Sequence, residues 1–406
     1  MSFSVALSGI NAASENLSVT GHNVANANTT GFKSSRAEFA DVFANAGQGL
    51  TERAVGNGVR LAGVRQQFGQ GSIEFTNNAL DLAISGQGFL TFADGQELTY
   101  SRAGALGTDR NGYVVNPQGS RLQVFPASGA DGFDTGQLAD LQVSTADNPP
   151  RATSAITAGL NLPASSEVPE TTPFDPDDTS SFNHTTSVTA YDSLGQARTV
   201  ALYFSRTAND GEWELRTRVE GQDVGGPQTL TFDSAGRITS PAGGEITLPP
   251  FAPGGGADDL ELSLDLSDVT QFGGGFSVSA LSQDGFATGR MTGLEITREG
   301  IVQARFTNGQ ATPLGQVALT NFANPEGLSK IGDTAWAESY NSGPALRGVA
   351  GAGDLGTIES GALEASNVDL TAELVNMITA QRTFQANAQM ITTSDQVTQT
   401  ILNIRR

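Results

Sequence analysis

The sequence predicts a mainly β fold with one α-helix at each end of the chain. Gly is very frequent, at 49 of 406 residues, and charged residues make up only 16%, a balance that suits short strands joined by tight turns. Apolar residues recur every three or four positions mainly near the two ends, which is the helical period. Helical ends around a β middle indicate assembly rather than catalysis, because the ends have no helical domain of their own to join.

Residues 2–27 predict the first helix. Gly9 and Gly21 lie inside it and each costs about 1 kcal/mol relative to Ala. A single helix with two such residues is marginal in water, so we expect it to need packing partners. Asn28 and Gly31 supply stop signals after it. The apolar stripe consists of Phe3, Ala6, Ile10, Ala13, Leu17, Thr20 and Val24.

The middle of the chain carries strand and turn signals. Residues 34–70 mix small, polar and isolated apolar positions and predict an extended or β connecting segment. From residue 80 to about residue 125 apolar positions alternate, and Asp94-Gly95 and Asn111-Gly112 are hairpin turn dipeptides.

A second β region is predicted further along. The stretch Asn161–His184 holds four prolines and several acids and predicts an exposed loop or linker. Alternating strands follow it, with a turn at Asn209-Asp210-Gly211.

Residues 367–404 contain neither Gly nor Pro and allow a helix about 55 Å long. Ser366 or Asn367 is the expected cap, and Asp369 favours the first turn. After Ile391 the apolar seam shifts phase. The first part of the stripe is Leu370, Leu374, Met377, Gln381, Phe384, Ala388 and Ile391, and its continuation is Val397, Ile401 and Ile404.

The net charge of −21 lies almost entirely between the two ends. Residues 1–40 carry two acids and two bases, and residues 364–406 carry four acids and three arginines. Nearly neutral ends can crowd together without much Coulomb repulsion, while an acidic body keeps the particle soluble. Binding of nucleic acid or of an anionic membrane is not expected, because phosphate contacts need Lys and Arg.

Catalytic and metal-binding candidates are poor, and no cofactor is expected. The chain has two histidines, His22 and His184, and no Cys, which argues against a multi-His metal site, a structural zinc site or thiol catalysis. Asp177-Asp178 and Asp258-Asp259 lack the alternating ligands of a calcium loop. Gly86-Gln87-Gly88 is not part of a phosphate-binding fingerprint. We also find no basic and apolar leader of the Sec type and no apolar run of membrane-spanning length.

Three collinear motifs resemble the signatures of the bacterial flagellar rod and hook protein family. The first is the segment from Asn23 to Lys33, the second runs from Leu80 to Phe89, and the third covers residues 361–370 together with 384–388. The resemblance spans essentially the whole chain and is weakest over residues 146–287. The signature residues are Asn23, Asn26, Gly31, Phe32, Lys33, Leu82, Phe89, Asn367, Phe384 and Asn387.

The resemblance implies a helical tube whose inner wall is built from terminal helices and whose β domains face outward. It implies a self-assembling subunit, extracellular in the flagellum, that is exported through the flagellar type III apparatus without a cleaved Sec signal. The implied partners are other copies, the distal rod, the hook cap and the hook–filament junction protein. The residues expected to form the polymerisation core are Phe3, Ile10, Leu17, Val24, Leu370, Leu374, Met377, Phe384, Ile391 and Ile401.

Four parts are expected. A hook subunit, which forms a curved, flexible tube that transmits torque, is favoured over a rod subunit because the segment 146–287 resembles an additional outer β domain. The expected parts are residues 1–33 with 364–406 as the helical inner domain, 34–70 as the connecting segment, 71–145 with 288–363 as the middle β domain, and 146–287 as the outer β domain.

Several alternatives stay open at this point. The terminal stripes could pack against each other as an antiparallel pair within one chain. Asn23, Asn26 and Asn28 could either cap a helix or bond backbone groups where water is excluded. The chain could be a distal rod subunit, or a β-rich adhesin with a sugar platform formed by Trp213, Trp336 and Tyr340.

Overall fold

The computed structural model describes residues 2–42, 56–95, 97–129, 132–144 and 146–404, and the chain folds as two compact units. The mainly β fold with one helix at each end is confirmed. Part of the connecting segment expected at 34–70 lies outside the described residues. Unit 1 comprises Met1–Thr145, Gly293–Arg305 and Ala311–Arg406, and unit 2 comprises Ala146–Thr292 and Phe306–Gln310.

The first helix, α1, is Ser2–Ala25, and the second, α2, is Leu370–Ile404. α1 ends two residues earlier than expected, where Asn26 Nδ2 donates to the carbonyl of His22 at 2.9 Å. No helix within the described residues is long and apolar enough to cross a bilayer.

The expected cap of α2 was wrong. Asp369 Oδ1 accepts the backbone N–H of Thr371 at 2.9 Å and that of Ala372 at 3.1 Å, so Asp369 is the capping residue. The amide of Asn367 is used elsewhere, and Ser366 Oγ accepts only the N–H of Val368, which precedes the helix.

An antiparallel hairpin of Ser35–Asp41 and Val59–Gln66 follows α1 and contacts it. This hairpin gives definite structure to part of the segment 34–70. Two further antiparallel strand pairs connect segments that flank the large sheet in sequence. Ile73–Phe75 pairs with Ala362–Glu364, and Leu82–Ser85 pairs with Thr357–Ser360.

The largest sheet lies mainly in unit 1 and has thirteen strands among the described residues. Phe89, Tyr100, Phe322 and Trp336 form an aromatic cluster buried on it. Its main path is Met291–Ile296, Ile301–Phe306, Ala311–Asn321, Arg121–Ser128, Phe89–Asp94, Glu97–Ser101, Ala335–Ala337 and Ser329–Gly332, and Gly107–Thr108, Val114–Val115, Gly132–Phe133, Ala139–Asp140 and Leu346–Val349 pair beside it.

Unit 2 packs two sheets around one apolar core that includes Leu160, Phe204 and Trp213. One sheet contains Glu245–Thr247, Ser263–Asp265, Ala155–Pro163, Thr270–Phe272 and Ser277–Gln283. The other contains His184–Tyr191, Ala197–Arg206, Glu212–Val219, Gln222–Asp223, Gln228–Phe232 and Ile238–Ser240.

The chain enters and leaves the main segment of unit 2, Ala146–Thr292, through two paired stretches. Asn148 and Gly289 exchange backbone hydrogen bonds of 2.8 and 3.1 Å, and Arg151 pairs with Phe286 in the same antiparallel sense. The loop expected at 161–184 is shorter than the sequence suggests. Asn161 to Pro163 complete the central strand Ala155–Pro163, where they pair with residues of Thr270–Phe272.

Candidate assembly surface

α1 and α2 lie against each other in opposite directions, so the antiparallel pair left open by the sequence is present. Near one end Asn23 Nδ2 donates to Glu373 Oε1 at 3.0 Å. Near the other end a Cβ on Gly9 would lie 2.7 Å from Asn387 Oδ1, so the glycine permits this close approach. The buried side chains of the two helices are small or polar: Ala6, Ala13, Thr20, Asn23 and Ala380.

α2 extends beyond the start of α1. Residue 23 lies opposite residue 373 and residue 9 lies opposite residue 387, so residue 2 falls level with about residue 394. The following stretch 395–404 therefore projects past α1 by about 15 Å at 1.5 Å per residue. Val397 and Ile401 in this overhang are 54% and 60% exposed.

Large apolar side chains point away from the helix pair. Along the described part of α2, Ala380 alone is buried. Such a surface is far from what a solitary soluble domain presents, and contiguous exposed apolar surface marks an interaction site. The large apolar side chains exposed on the two helices are Phe3, Leu7, Leu370, Leu374, Val375, Ile378, Phe384, Met390, Val397 and Ile401.

The predicted core residues of the helices do not form the buried seam of this pair. Small residues occupy the seam because they let two helix axes approach closely, whereas large ones hold them apart. Packing of the predicted residues between copies of the chain stays a prediction. Ile10, Leu17, Val24, Met377 and Ile391 are half-buried, and Phe3, Leu370, Leu374, Phe384 and Ile401 are exposed.

A buried ionic cluster, formed by Lys33, Arg102 and Glu364, ties the start and the end of the β part together. Lys33 Nζ lies 2.5 Å from Glu364 Oε1, and both side chains have no exposed surface. Arg102 Nη1 lies 3.2 Å from Glu364 Oε2. Lys33 Nζ also donates to the carbonyl of Gly69 at 2.7 Å, and the N–H of Gly71 donates to Glu364 Oε1 at 2.9 Å. Four chain segments therefore converge at this cluster.

The ionic cluster holds two cations and one anion away from water. Burial lowers the pKa of Lys33, and the adjacent carboxylate of Glu364 opposes this effect. Burial also lowers the pKa of Arg102, whose Nη2 donates to the carbonyl of Gly86 at 2.8 Å. Glu364 is the one carboxylate that pairs with both cations. Removing one partner from a buried pair costs about 3–5 kcal/mol, so the cluster depends on this residue.

Two asparagine side chains hold backbone groups beside the ionic cluster. Asn23 Oδ1 accepts the N–H of Ser35 at 2.9 Å, and its Nδ2 donates to the carbonyl of the same residue at 2.7 Å. Asn367 Oδ1 accepts the N–H of Ser34 at 2.7 Å, and its Nδ2 donates to the carbonyl of Gln67 at 2.8 Å. Each side-chain amide bonds one backbone N–H and one backbone carbonyl, as a neighbouring strand would. The residues at the base of the hairpin are therefore held both to α1 and to the segment that leads into α2.

Gly31 turns the chain from α1 into the ionic cluster. Its φ of 68° lies in the left-handed region, which glycine adopts without steric cost. A Cβ there would lie 2.4 Å from the backbone nitrogen of Ala103. The adjacent Phe32 is buried, with its ring 5.6 Å from that of His22 and the Lys330 ammonium above it.

The other signature residues have separate places. Leu82 and Phe89 are buried in the β part of unit 1. Phe384 and Asn387 lie on α2, the latter against α1. Asn26 ends α1, as described above.

The residues considered for catalysis, metal binding or sugar binding do not come together into a site. His22 and His184 lie in different units, and the described residues hold no group of three or more His, Cys, Asp or Glu with metal-site geometry. The aromatic platform was wrong, because Trp213 and Trp336 are buried at 0% and 2% exposure and pack in separate cores. Only Tyr340 of that trio is exposed.

The sequence reasoning missed the roles of Arg102 and Glu364. A signal for part of the cluster was present, because Lys33 is one of only two lysines in a strongly acidic chain and stands in a motif. Glu364 lies 331 residues from Lys33 along the chain, so residue spacing could not identify it as the partner.

Four family models match the chain in succession. The flagella basal body rod protein model matches residues 3–33, and the D1 domain model of the flagellar hook proteins FlgE/F/G matches residues 83–163. The D2 domain model of the flagellar basal body protein FlaE matches residues 161–286, and the C-terminal model of the rod proteins FlgEFG matches residues 359–404.

Full-length relatives and a solved structure are also similar. The flagellar hook protein FlgE of Salmonella typhimurium is 39% identical over 100% of both chains, and that of Escherichia coli is 40% identical over 100% of both. The crystal structure of a flagellar hook protein from Helicobacter pylori matches 72% of this chain and 100% of its own, with a TM-score of 0.55 and 14% identity. At that identity the structural match shows a shared fold.

Proposed function

This chain belongs to the flagellar hook protein family, and from that premise we propose that its copies polymerise through α1 and α2 into the curved, flexible tube of the hook. The chain is a structural subunit of the bacterial flagellum. In this role it transmits torque from the rod to the filament rather than catalysing a reaction.

The apolar face of the helix pair carries this proposal. A 35-residue helix with a single buried side chain in its described part gains little from its own chain. Isolated helices are marginal in water, and most helical stability comes from packing of an apolar face. Neighbouring copies supply that packing, since each presents the same large side chains.

The overhang gives the contact a direction. Val397 and Ile401 project past α1, so they reach beyond their own helix pair. An end that reaches into a different surface of the next copy makes a head-to-tail contact, and such contacts build open helical polymers when the rotation does not close.

The ionic cluster links this inner wall to the β part of unit 1. Lys33 precedes the hairpin and Glu364 precedes α2, so the two chain ends are fixed to one point of the β part. Fully buried, hydrogen-bonded charges resist displacement, because separating them leaves an unpaired charge in the interior. Torque on the β part is therefore transmitted to the helices through a rigid connection.

The four-part division of the chain belongs to the same proposal. Residues 1–33 with 364–406 form the inner wall, 34–70 connect, 71–145 with 288–363 form the middle domain, and 146–287 form the outer domain. Polar contacts between outer domains slide at little cost when the tube bends, because water replaces a lost hydrogen bond.

The proposed partners follow from the place of a hook. They are other copies, the distal rod below, the hook cap and the hook–filament junction protein at the growing end, and the flagellar type III apparatus that exports the chain. The proposed location is the extracellular hook, reached without a cleaved Sec signal.

Substitution of the overhang tests the assembly. The double variant Val397→Asn and Ile401→Asn should lose polymer, seen as failure to sediment and as the absence of tubes by electron microscopy. The matched control, Thr398→Asn with Thr400→Asn, changes exposed polar positions of the same helix and should polymerise like the parent. Equal polymerisation of both variants would contradict the proposal, and straight, stiff polymers of the parent would favour a rod subunit.

A further inference from the structure

A tyrosine stands clear of its own chain on the unit 1 loop that follows strand Ala335–Ala337. Tyr340 is 100% exposed, more than any other large apolar or aromatic side chain among the described residues. Aromatic side chains normally bury about 150–250 Å² each. A ring displayed in full gains nothing from the fold of its own chain.

The loop that carries this ring is pinned on both sides of it. Ser339 Oγ donates to the carbonyl of Gly327 at 2.5 Å, and Ser342 Oγ donates to the carbonyl of Ser339 at 2.8 Å. The N–H of Asn341 donates to Ser339 Oγ at 3.1 Å, and its carbonyl accepts from Asn324 Nδ2 at 2.9 Å. A Cβ on Gly327 would lie 2.5 Å from the carbonyl carbon of Asn341, so the loop also packs tightly.

We propose that Tyr340 is an anchor that inserts into unit 1 of a second copy of this chain when copies polymerise. A rigid loop loses little conformational freedom on binding, so most of the free energy from burying the ring becomes affinity. Tyrosine is among the residues most enriched at the energetic centres of interfaces. This inference rests on the proposed polymer and adds a contact outside the helices.

A second copy is the occupant that fits the rest of unit 1. The exposed helix pair belongs to the same unit, so a polymer that covers those helices brings units 1 of adjacent copies together. Copies that each carry a net charge of −21 repel at their charged surfaces. Burial of the uncharged Tyr340 ring stabilises a contact between copies without adding to that repulsion.

Truncation of the ring gives the first test. Tyr340→Ala should raise the critical concentration for polymerisation at least about tenfold, which corresponds to about 1.4 kcal/mol. Asn341→Ala on the same loop should change it less than about twofold, because the residue bonds through its backbone. Both variants should keep the parent's urea unfolding midpoint, since the ring supports nothing in its own chain. A critical concentration unchanged by Tyr340→Ala would overturn the inference.

A thiol at the same position gives the second test. The chain has no Cys, so Tyr340→Cys introduces a single reactive group. Its alkylation by maleimide should be fast in the monomer and at least about tenfold slower in the polymer, because a buried thiol is shielded from the reagent. A thiol that stays equally reactive in well-formed tubes overturns the anchor while leaving the helix-based assembly intact, whereas absence of any tubes refutes the proposed function itself. Protection that needs a different flagellar protein would also overturn the proposed occupant.

Discussion

The variant Glu364→Ala should destabilise unit 1 more than any exposed ion-pair substitution. The carboxylate accepts from Lys33 at 2.5 Å, from the N–H of Gly71 at 2.9 Å and from Arg102 at 3.2 Å. Without it two buried cations face each other with no anion between them.

The magnitude follows from the burial of all three charges. Breaking a buried pair by removing one partner costs about 3–5 kcal/mol. Here two cations lose the same partner, so the cost should lie in the upper part of that range. With an m value of about 3 kcal/mol/M in urea, a cost of about 4–5 kcal/mol should lower the unfolding midpoint by about 1.3–1.7 M.

The two tryptophans make the assay specific. Trp336 lies in the core of unit 1 and Trp213 in the core of unit 2. In a Trp213→Phe background, fluorescence during urea unfolding reports unit 1 alone. In the complementary Trp336→Phe background, Glu364→Ala should leave the midpoint of unit 2 unchanged, because the ionic cluster lies in unit 1.

Glu38→Ala is the matched control. Glu38 pairs with Arg65 at 3.3 Å in the same unit, but the two side chains are 41% and 54% exposed. Exposed pairs contribute about 0–1 kcal/mol. If Glu364→Ala shifts the midpoint no more than Glu38→Ala does, the buried cluster does not hold the ends to the β part and the reasoning fails.

Two further predictions concern the other unit and the turn after α1. Burial lowers the pKa of His184, whose ring stacks on Phe276 at 4.5 Å, so the folded state favours the neutral ring. The unfolding free energy of unit 2 should be steady above the unfolded pKa of about 6.5 and fall as the pH drops below it, as measured by Trp213 fluorescence in urea. His184→Phe should reduce that slope, and an unchanged slope would assign it to other groups. Gly31→Ala should lower the unfolding free energy of unit 1, measured by urea titration, by more than the roughly 1–2 kcal/mol that a left-handed residue costs, because its Cβ also meets backbone. Gly95→Ala, at φ 65° in open space, carries the conformational cost alone, and equal losses would refute the steric part.

The helical ends were predictable because their signals are local. The three- and four-residue spacing and the lack of Gly and Pro after residue 367 predict both helices, and the structure places them at Ser2–Ala25 and Leu370–Ile404. The cap of α2 was less accessible, since Ser366, Asn367 and Asp369 are all capping types. Tertiary hydrogen bonds decide among them by using the Asn367 amide elsewhere.

Contacts between distant segments could not be read from spacing. Glu364 meets Arg102 across 262 residues of sequence and Lys33 across 331. The large residues of the stripes are easy to see, yet the buried seam uses Ala6, Ala13 and other small side chains. Periodicity therefore identified the buried face of α1, since Ala6, Ala13 and Thr20 belong to the predicted stripe, but it did not show that the small members of the stripe are the buried ones.

Residue type alone also gave the wrong location for two aromatic side chains. Trp213 and Trp336 were considered for a sugar-binding platform, and each is instead a central core residue of its unit. The alternation around Trp213 on strand Glu212–Val219 places every second side chain inward, which is the pattern of a half-buried strand. The same alternation, applied to this residue, would have predicted its burial.

The backbone pairing of Asn148 with Gly289 means that the two ends of the segment Ala146–Thr292, which makes up most of unit 2, are neighbours, about one strand spacing apart. A folded module whose own termini lie equally close could replace this segment without stretching the chain on either side of it. Evolution or protein engineering can therefore exchange this segment while the helices that form the polymer stay unchanged.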